Sequence, residues 1–443
     1  MIAPCLVARD KAARDEIHFA PVQVGDAQDH DKDGNPTRRR SHFRRPSQFR
    51  SRHFRLHTDL PPADARALLR RLEKVVENIS AYWRRPLQGR IVCYVVNDMA
   101  NWENDRLPHP LGRVFVDGVG GATVGTFVRE RNKREYKAVI YANDRPGIAE
   151  HETIHAFCLH TFGTCGPEWY KEGMAEMAQY SPNTKAVSCP QHVIDLLRAE
   201  PPSSLNDVIK NVKFSEPIAE SVMRHADQGR TFTHSAWNRE DRGRVREANR
   251  SYYWSWSLCH FLYHNPNFSR RFRELGIGQL SGQPIDLAAV YDAMAPELQF
   301  EYQFFIKNMA NGYRVDLCCW DWSTSASHLH SGASVQTVVQ ASRGYQPTGL
   351  AVRSGERYAY RTQGTWSALS ESEPCDADGE DDGRGKLVAV LMRDYRLGRP
   401  LELGTQGSID VPSDGVLFLR CRDRWHELAD NHGSLTVQLT RKR

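Results

Sequence analysis

Residues 149–176, AEHETIHAFCLHTFGTCGPEWYKEGMAE, constrain this chain more than any other stretch. His151, Glu152 and His155 form a His-Glu-x-x-His pattern. On a helix, residues four apart stack on one face, so both imidazoles can reach one metal ion. Glu152, one step round, can face a water activated at that ion. Two His, one carboxylate and an open fourth position make a hydrolytic zinc site, so a third ligand is required. Residues 169–176, WYKEGMAE, read as a second helix on which Glu172 and Glu176 lie one turn apart. Glu172 can bind zinc there, and Glu176 can hydrogen-bond the far nitrogen of a ligand imidazole. The competing reading is two surface helices with both glutamates solvated.

His-Glu-x-x-His followed shortly by Trp-x-x-Glu-Gly-x-Ala-Glu resembles the gluzincin metallopeptidases, and within them the bacterial peptidase MA-like group. The resemblance extends more loosely over residues 52–310. It implies zinc ligands His151, His155 and Glu172, Glu152 as general base, and a mainly helical domain with a small sheet. The interval from His155 to Glu172 is a little shorter than in the best-known large gluzincins.

At 443 residues the chain is too long for one ordinary core, so two or three domains are expected. A hydrophobic content of 40% with 26% charged residues describes a soluble globular protein. No apolar run reaches the length of a membrane span. The net charge of +5 is mild and argues weakly for any acidic partner. The ten cysteines include no Cys-x-x-Cys pair, which excludes a metal ribbon. Disulfides, for which Cys158 and Cys165 flank the ligand loop, and plain buried thiols are both open. Residues 1–16 lack a basic n-region and a long apolar core, so no clear signal peptide is read. The expected location is nevertheless extracytoplasmic: periplasmic, secreted or at the cell surface.

Residues 1–50 are polar and read as a poorly ordered arm. Asp29, Asp31, Asp33 and Gly34 match half a calcium loop, but Arg40 stands where a bidentate Glu is needed. Arg38, Arg39, Arg40, Arg44, Arg45, Arg50, Arg52 and Arg55 alternate with Phe43, Phe49 and Phe54. Such interleaving suits single-stranded nucleic acid, but a solvated basic arm is the commoner meaning, and no nucleic acid is expected as a partner. Order is expected from near residue 52, with a strand there and another over 90–96. Leu68, Leu72, Val75, Val76, Ile79 and Trp83 predict a helix over 63–83. Residues 115–128 read as a Gly-rich hairpin; Gly120-Gly121 can alternatively bring a strand edge close to a peptide substrate. Residues 136–143 are the strand feeding the His-bearing helix. Residues 181–250 look polar and irregular. SYYWSWSLCHFLY, 251–263, reads as an aromatic helix, and 286–310 as two more. Gluzincins often use a Tyr or His from a later helix at the oxyanion, for which Tyr252 and Tyr253 qualify; plain aromatic packing is the alternative. His260 and His264, without a nearby acid, read as structural.

Near residue 325 the composition shifts to Ser, Thr and Gly. VQTVVQA, TGLAVRS, RYAYRTQ, KLVAVLM, GVLFLRC and SLTVQLT alternate at turn-separated intervals, the pattern of an antiparallel β-sandwich. Asp423, Asp430 and Asn431 lie between the last two, and hard oxygen donors on a loop suit Ca²⁺. Residues 333–441 resemble the galactophilic bacterial lectins (PA-IL-like). That resemblance implies calcium ligands Asp423, Asp430 and Asn431 and a backbone carbonyl near Glu427. An acidic loop over 376–382, without a His, replaces the lectins' sugar-contacting segment.

The expectation is an α+β chain in three parts: a basic, disordered arm (1–50), a zinc metallopeptidase-like domain (51–322) and a lectin-like sandwich (330–443). The expected function is zinc-dependent hydrolysis of peptide bonds, on a protein or peptide substrate, with glycan as a partner of the sandwich. The rival expectation is a catalytically degenerate surface adhesin or glycan-binding protein.

Overall fold

The computed structural model describes residues 15–19 and 45–443, apart from 103–106, 110–111, 131–132, 181–183, 201–203, 211–220, 222–223, 226–227, 229–236, 284 and 370–372. The half calcium loop and Arg38–Arg40 lie outside the described residues. The chain is α+β and divides into two compact units of interleaved segments. The first comprises 1–182, 202–260 and 271–290, and the second 183–201, 261–270 and 291–443.

The first unit is built on a six-stranded sheet. In chain order its elements begin with strands β1 (Asp15–Phe19), β2 (Ser47–Arg50) and β3 (Phe54–Thr58), then helix α1 (Pro62–Trp83) and strand β4 (Ile91–Val96). Helix α2 (Gly112–Val119), strands β5 (Gly121–Glu130) and β6 (Lys133–Asn143), and helices α3 (Ile148–Phe162) and α4 (Glu168–Tyr180) follow. The strand order is β1-β5-β6-β4-β3-β2. Strands β3, β4 and β6 run parallel, while β5 runs antiparallel to β6. The stripe expected on α1 is buried throughout. In α3, by contrast, every residue from Ile148 to Leu159 is buried, so this helix is enclosed on all sides rather than amphipathic.

Two expectations need correction. The range expected to be unstructured contains β1 and β2, both paired into the sheet. The stretch expected as a Gly-rich hairpin instead ends a helix and starts a strand. Phe115, Val116 and Val119 are buried at helical spacing, and Gly120, at φ +90°, turns the chain out of α2 into β5.

The aromatic helix also begins earlier than expected. After α5 (Gln191–Ala199) and α6 (Leu205–Lys210), helix α7 runs from Arg239 to His264. Its start is a reciprocal cap: Asp241 N–H donates to Asn238 Oδ1 at 2.9 Å, and Asn238 N–H donates to Asp241 Oδ2 at 3.1 Å. Glu240 and Arg244 add an i,i+4 ion pair at 2.6 Å. Helices α8 (Ser269–Leu280), α9 (Leu287–Tyr291), α10 (Ala295–Asn308) and α11 (Val315–Cys318) complete the helical part. No helix among the described residues is long and apolar enough to cross a membrane.

The second unit contains the expected sandwich, and all six anticipated strands are present. One sheet pairs 396–397, 387–393, 415–421 and 346–352, with 401–403 on its flank; the other pairs 406–410, 357–367, 432–441 and 334–340. Between them lie Leu350, Trp366, Leu387, Leu419, Leu435 and Val437. In the same unit Glu301 of α10 accepts from Asn265 Nδ2 (2.8 Å), Asn267 Nδ2 (2.8 Å), Trp322 Nε1 (2.7 Å) and Trp320 N–H (3.3 Å). Four donors satisfy a carboxylate that burial would otherwise penalise heavily.

His264 gives this unit a pH dependence. Burial pushes its pKa down to about 4, with Lys185 and Arg314 helping and Asp316 opposing. Because the folded value lies below the unfolded one, stability is full above about pH 6.5 and falls as the pH drops from there towards 4. His264→Gln is expected to flatten that acid limb, by up to roughly 3 kcal/mol at pH 4. Urea midpoints of both proteins between pH 4 and 8 test this, and parallel curves would refute it.

Candidate metal centre

The sequence places His151 and His155 one turn apart on α3, and Glu172 early on α4. The structure brings the three together as a fully buried group that can bind a metal ion. His151 Nε2 and His155 Nε2 are 3.1 Å apart, and Glu172 Oε2 lies 3.4 Å from the first and 3.3 Å from the second. A tetrahedral ion with ligands at about 2.0–2.1 Å has ligand–ligand edges of about 3.3 Å. The triangle therefore already has the dimensions of one face of such a site. Both Glu172 oxygens are buried, and their only neighbours are long: Lys171 Nζ at 3.4 Å from Oε1 and the two imidazoles at 3.3–3.4 Å from Oε2. A buried carboxylate left in that state costs free energy unless a cation meets it.

The electrostatics agree with that fit. Burial disfavours a charged His151, but hydrogen bonds to Glu172 and Glu176 outweigh it and hold its pKa up to about 10. Burial opposes ionisation of Glu172 too, yet His155, Lys171 and His151 hold its carboxyl well below the usual range. A site that attracts a proton this strongly also attracts a divalent cation. Glu176 stands where the sequence predicted, with Oε1 2.9 Å from His151 Nδ1. It thereby orients the imidazole with Nε2 towards the other ligands.

Glu152 lies outside the ligand triangle and is anchored to β5. Thr123 Oγ1 donates to Glu152 Oε2 at 2.7 Å, and Glu152 Oε1 is buried without a donor. Burial pushes this carboxyl up to about 8, against the pull of His151 and of the Thr123 hydroxyl. A carboxyl near neutrality can both take and give a proton at working pH. Thr123 was not singled out in the sequence, and nothing local could have done so, since it is 29 residues from Glu152. Its neighbour Gly121 explains the glycines here. A Cβ at 121 would lie 2.7 Å from Ile148 Cγ2 and 3.0 Å from the Tyr141 carbonyl, so only glycine lets β5 pass this close to α3.

The strand edge that Gly120-Gly121 was expected to offer a substrate is β5, and it is already paired. Strand β1 runs antiparallel along it, from Asp15 opposite Thr126 to Phe19 opposite Ala122. A peptide adding to that edge would have to displace β1.

Helix α7 closes the other side. Gly173 packs against it: a Cβ there would meet the Ser255 carbonyl oxygen at 2.4 Å and Cys259 Sγ at 2.5 Å. The glycine of Glu-Gly-x-Ala-Glu thus lets α4 pack closely on α7. Gly173→Ala is expected to destabilise the protein by about 1–3 kcal/mol through overpacking and to weaken metal binding with it. Thermal unfolding and metal titration check this, and an unchanged melting temperature would refute it. Tyr252 is fully buried on α7, with its ring 6.2 Å from that of His151. Burial and the carboxylates of Glu172 and Glu176 hold its phenol protonated. Tyr253 is also buried. His260 and His264 join no metal-competent group among the described residues.

No disulfide joins the nine described cysteines, Cys158 and Cys165 among them. In the sandwich, Asp423 and Asn431 are buried while Asp430 is exposed. Asp423 Oδ2, Asn431 Oδ1 and Glu427 Oε2 are each buried without a hydrogen-bond partner. The sequence pointed to a backbone carbonyl near Glu427; its side-chain oxygen was missed.

No family model matches this chain, and neither does any curated protein sequence. Among solved structures, the EclA N-terminal domain, a PllA-like lectin, is similar at 24% identity, over 24% of this chain and 96% of that one, with a TM-score of 0.21. IMPa from Pseudomonas aeruginosa, solved in complex with an O-glycopeptide, is similar at 14% identity, over 42% of this chain and 22% of that one, with a TM-score of 0.16.

Proposed function

We propose that this protein is a zinc metallopeptidase of the gluzincin type, a hydrolase that cleaves peptide bonds in a protein or peptide substrate. The observation that carries this reading is the buried triangle of His151 Nε2, His155 Nε2 and Glu172 Oε2, with edges of 3.1–3.4 Å beside Glu152. Zinc held there would supply Lewis acidity towards a carbonyl and a water acidified towards neutral pH. The chain supplies the rest. Thr123 anchors Glu152 Oε2, which leaves Oε1 to accept the proton of the attacking water and pass it to the leaving amine. Glu176 keeps His151 in one orientation. Tyr252, kept protonated, can donate a hydrogen bond to the developing oxyanion.

The rival reading, a degenerate adhesin, would tolerate loss of the general base, yet Glu152 is present and held. Casein and peptidoglycan fragments, each incubated with the protein before and after chelation and with zinc restored, test the proposal. Casein cleavage lost on chelation and regained with zinc supports it. Cleavage of the cell-wall peptides alone narrows the substrate to those amides, and no cleavage of either by the zinc-loaded protein overturns it.

The sandwich is read as a calcium-dependent, carbohydrate-binding-like module. The three unpartnered oxygens of Asp423, Glu427 and Asn431 support this, because buried oxygen acceptors without donors suit a hard cation. Millimolar Ca²⁺ is expected to raise the melting temperature of the wild type, by mass action on the folded state, and to leave Asp423→Ala unmoved. Equal shifts in both proteins would exclude this loop as the site.

A further inference from the structure

A second feature of the first unit lies in the cleft between α1 and the turn joining β2 to β3. The cleft measures about 710 Å³, a size typical of ligand sites. Arg66, Arg70 and Lys74 line one wall, four residues apart on a single face of α1, so they repeat every about 6 Å along the helix. Arg50 and Arg52 line the other wall. These five cations face only two carboxylates, Glu73 and Glu77. Both are engaged: Glu73 accepts from the His53 backbone at 2.7 Å, and Glu77 pairs with Lys74 at 2.8 Å. Arg52, Arg66 and Arg70 have no acidic partner among the described residues. Arg71, one residue on, shows the contrast, since it turns to the opposite side and pairs with Glu150 at 2.7 Å. On α1, the arginines at 66 and 70 thus turn their charge to the cleft while Arg71 does not.

We propose that this cleft binds a sulfated polysaccharide. Guanidinium groups match the oxygens of sulfate or phosphate by paired hydrogen bonds, so either polyanion would satisfy the charge. Two features favour the sulfated sugar over nucleic acid. No Phe, Tyr or Trp lines the cleft, and its one ring, His53, is tied to Glu73 at 2.7 Å, so unpaired bases find little stacking platform. The Glu73 and Glu77 carboxylates and the Ser51 and Ser80 hydroxyls stand among the cations. They can accept hydrogen bonds from the hydroxyls that a sugar chain carries along its length and a DNA strand lacks. The wall carrying Arg50 and Arg52 belongs, in sequence, to the basic run that extends to Arg55. The cleft is separate from the metal centre, and the proposal is independent of the hydrolase reading.

The test uses the full-length protein and a heparin oligosaccharide of defined length, with binding followed by calorimetry at several salt concentrations. Affinity is expected to fall with added salt, as counterion release requires. Arg66→Gln combined with Arg70→Gln changes two exposed helix positions and leaves the melting temperature in place. The double variant is expected to bind about tenfold more weakly, with a salt slope smaller by about two. Arg239→Gln with Arg242→Gln, exposed on α7, is the control and should bind as wild type does. Desulfated heparin should not bind, and oligo(dT) should bind at least about tenfold more weakly than the oligosaccharide. Absence of heparin binding, or binding that survives in the cleft variant, overturns the proposal. Equal or tighter oligo(dT) binding replaces it with a nucleic-acid site.

Discussion

Glu172→Ala is expected to reduce bound zinc from about one ion per chain to none after dialysis, the largest effect of any substitution considered. Glu172 provides one of three converging ligand atoms. Without it two imidazoles remain, and two protein ligands do not hold zinc against a competing buffer. The fold has reason to survive. Lys171 loses a contact of 3.4 Å to Glu172 but keeps its 2.6 Å pair with Glu168. The wild type, by contrast, bears the cost of keeping Glu172 buried with only long contacts to its oxygens whenever no metal ion meets it. The variant should therefore lose metal without losing its circular dichroism. Elemental analysis of both proteins, purified side by side and reconstituted with zinc, decides the matter. Zinc at wild-type level in the variant would remove Glu172 from the ligand set, and with it the gluzincin reading.

Glu152→Gln should separate binding from chemistry. The substitution keeps the volume of a fully buried side chain and keeps an oxygen for the Thr123 hydroxyl. It removes the ability to accept a proton at Oε1. Zinc content is expected to stay at the wild-type level, because Glu152 lies outside the ligand triangle. Peptide hydrolysis should fall by about 10²–10⁴-fold, the usual worth of a placed general base. KM should move little if the residue acts on the reacting water rather than on the substrate. Single-turnover rates and zinc analysis on the same preparation measure both quantities. A variant that keeps its rate would assign proton transfer to another group.

Much of the site was legible because its grammar is local. The His151–His155 spacing and the Glu172–Glu176 spacing are each one helical turn, and one turn is fixed by backbone geometry alone. The sandwich strands were legible for a similar reason, since alternation at period two marks a strand half in contact with a core. The errors fell where local signal and tertiary packing disagree. Residues 115–128 carry glycine and β-branched residues that suggest a hairpin, yet 115–119 belong to a helix, with Phe115, Val116 and Val119 packed inward. Packing overrode propensity there. Asp15–Phe19 lies in a polar stretch with no visible partner in sequence, and its order comes from the ladder it makes with β5. The Glu427 side chain drew no attention because a lone Glu in a loop is ordinarily solvated; only burial beside Asp423 and Asn431 sets it apart.

By itself, then, the sequence determined which residue types stand at one-turn spacing and therefore which metal-ligating groups α3 and α4 can present. Tertiary structure alone decided that Glu172 meets both imidazoles across two helices, and that Gly173 seats α4 against α7. It also decided that Thr123, on a strand, aims Glu152, and that three unpartnered arginines open into one cleft while Arg71 does not. The physical reason is the range of the interactions. Helical register follows from bonds between near neighbours, whereas a ligand triangle, a buried carboxylate's donor and an uncancelled charge are settled by side chains that only packing brings together.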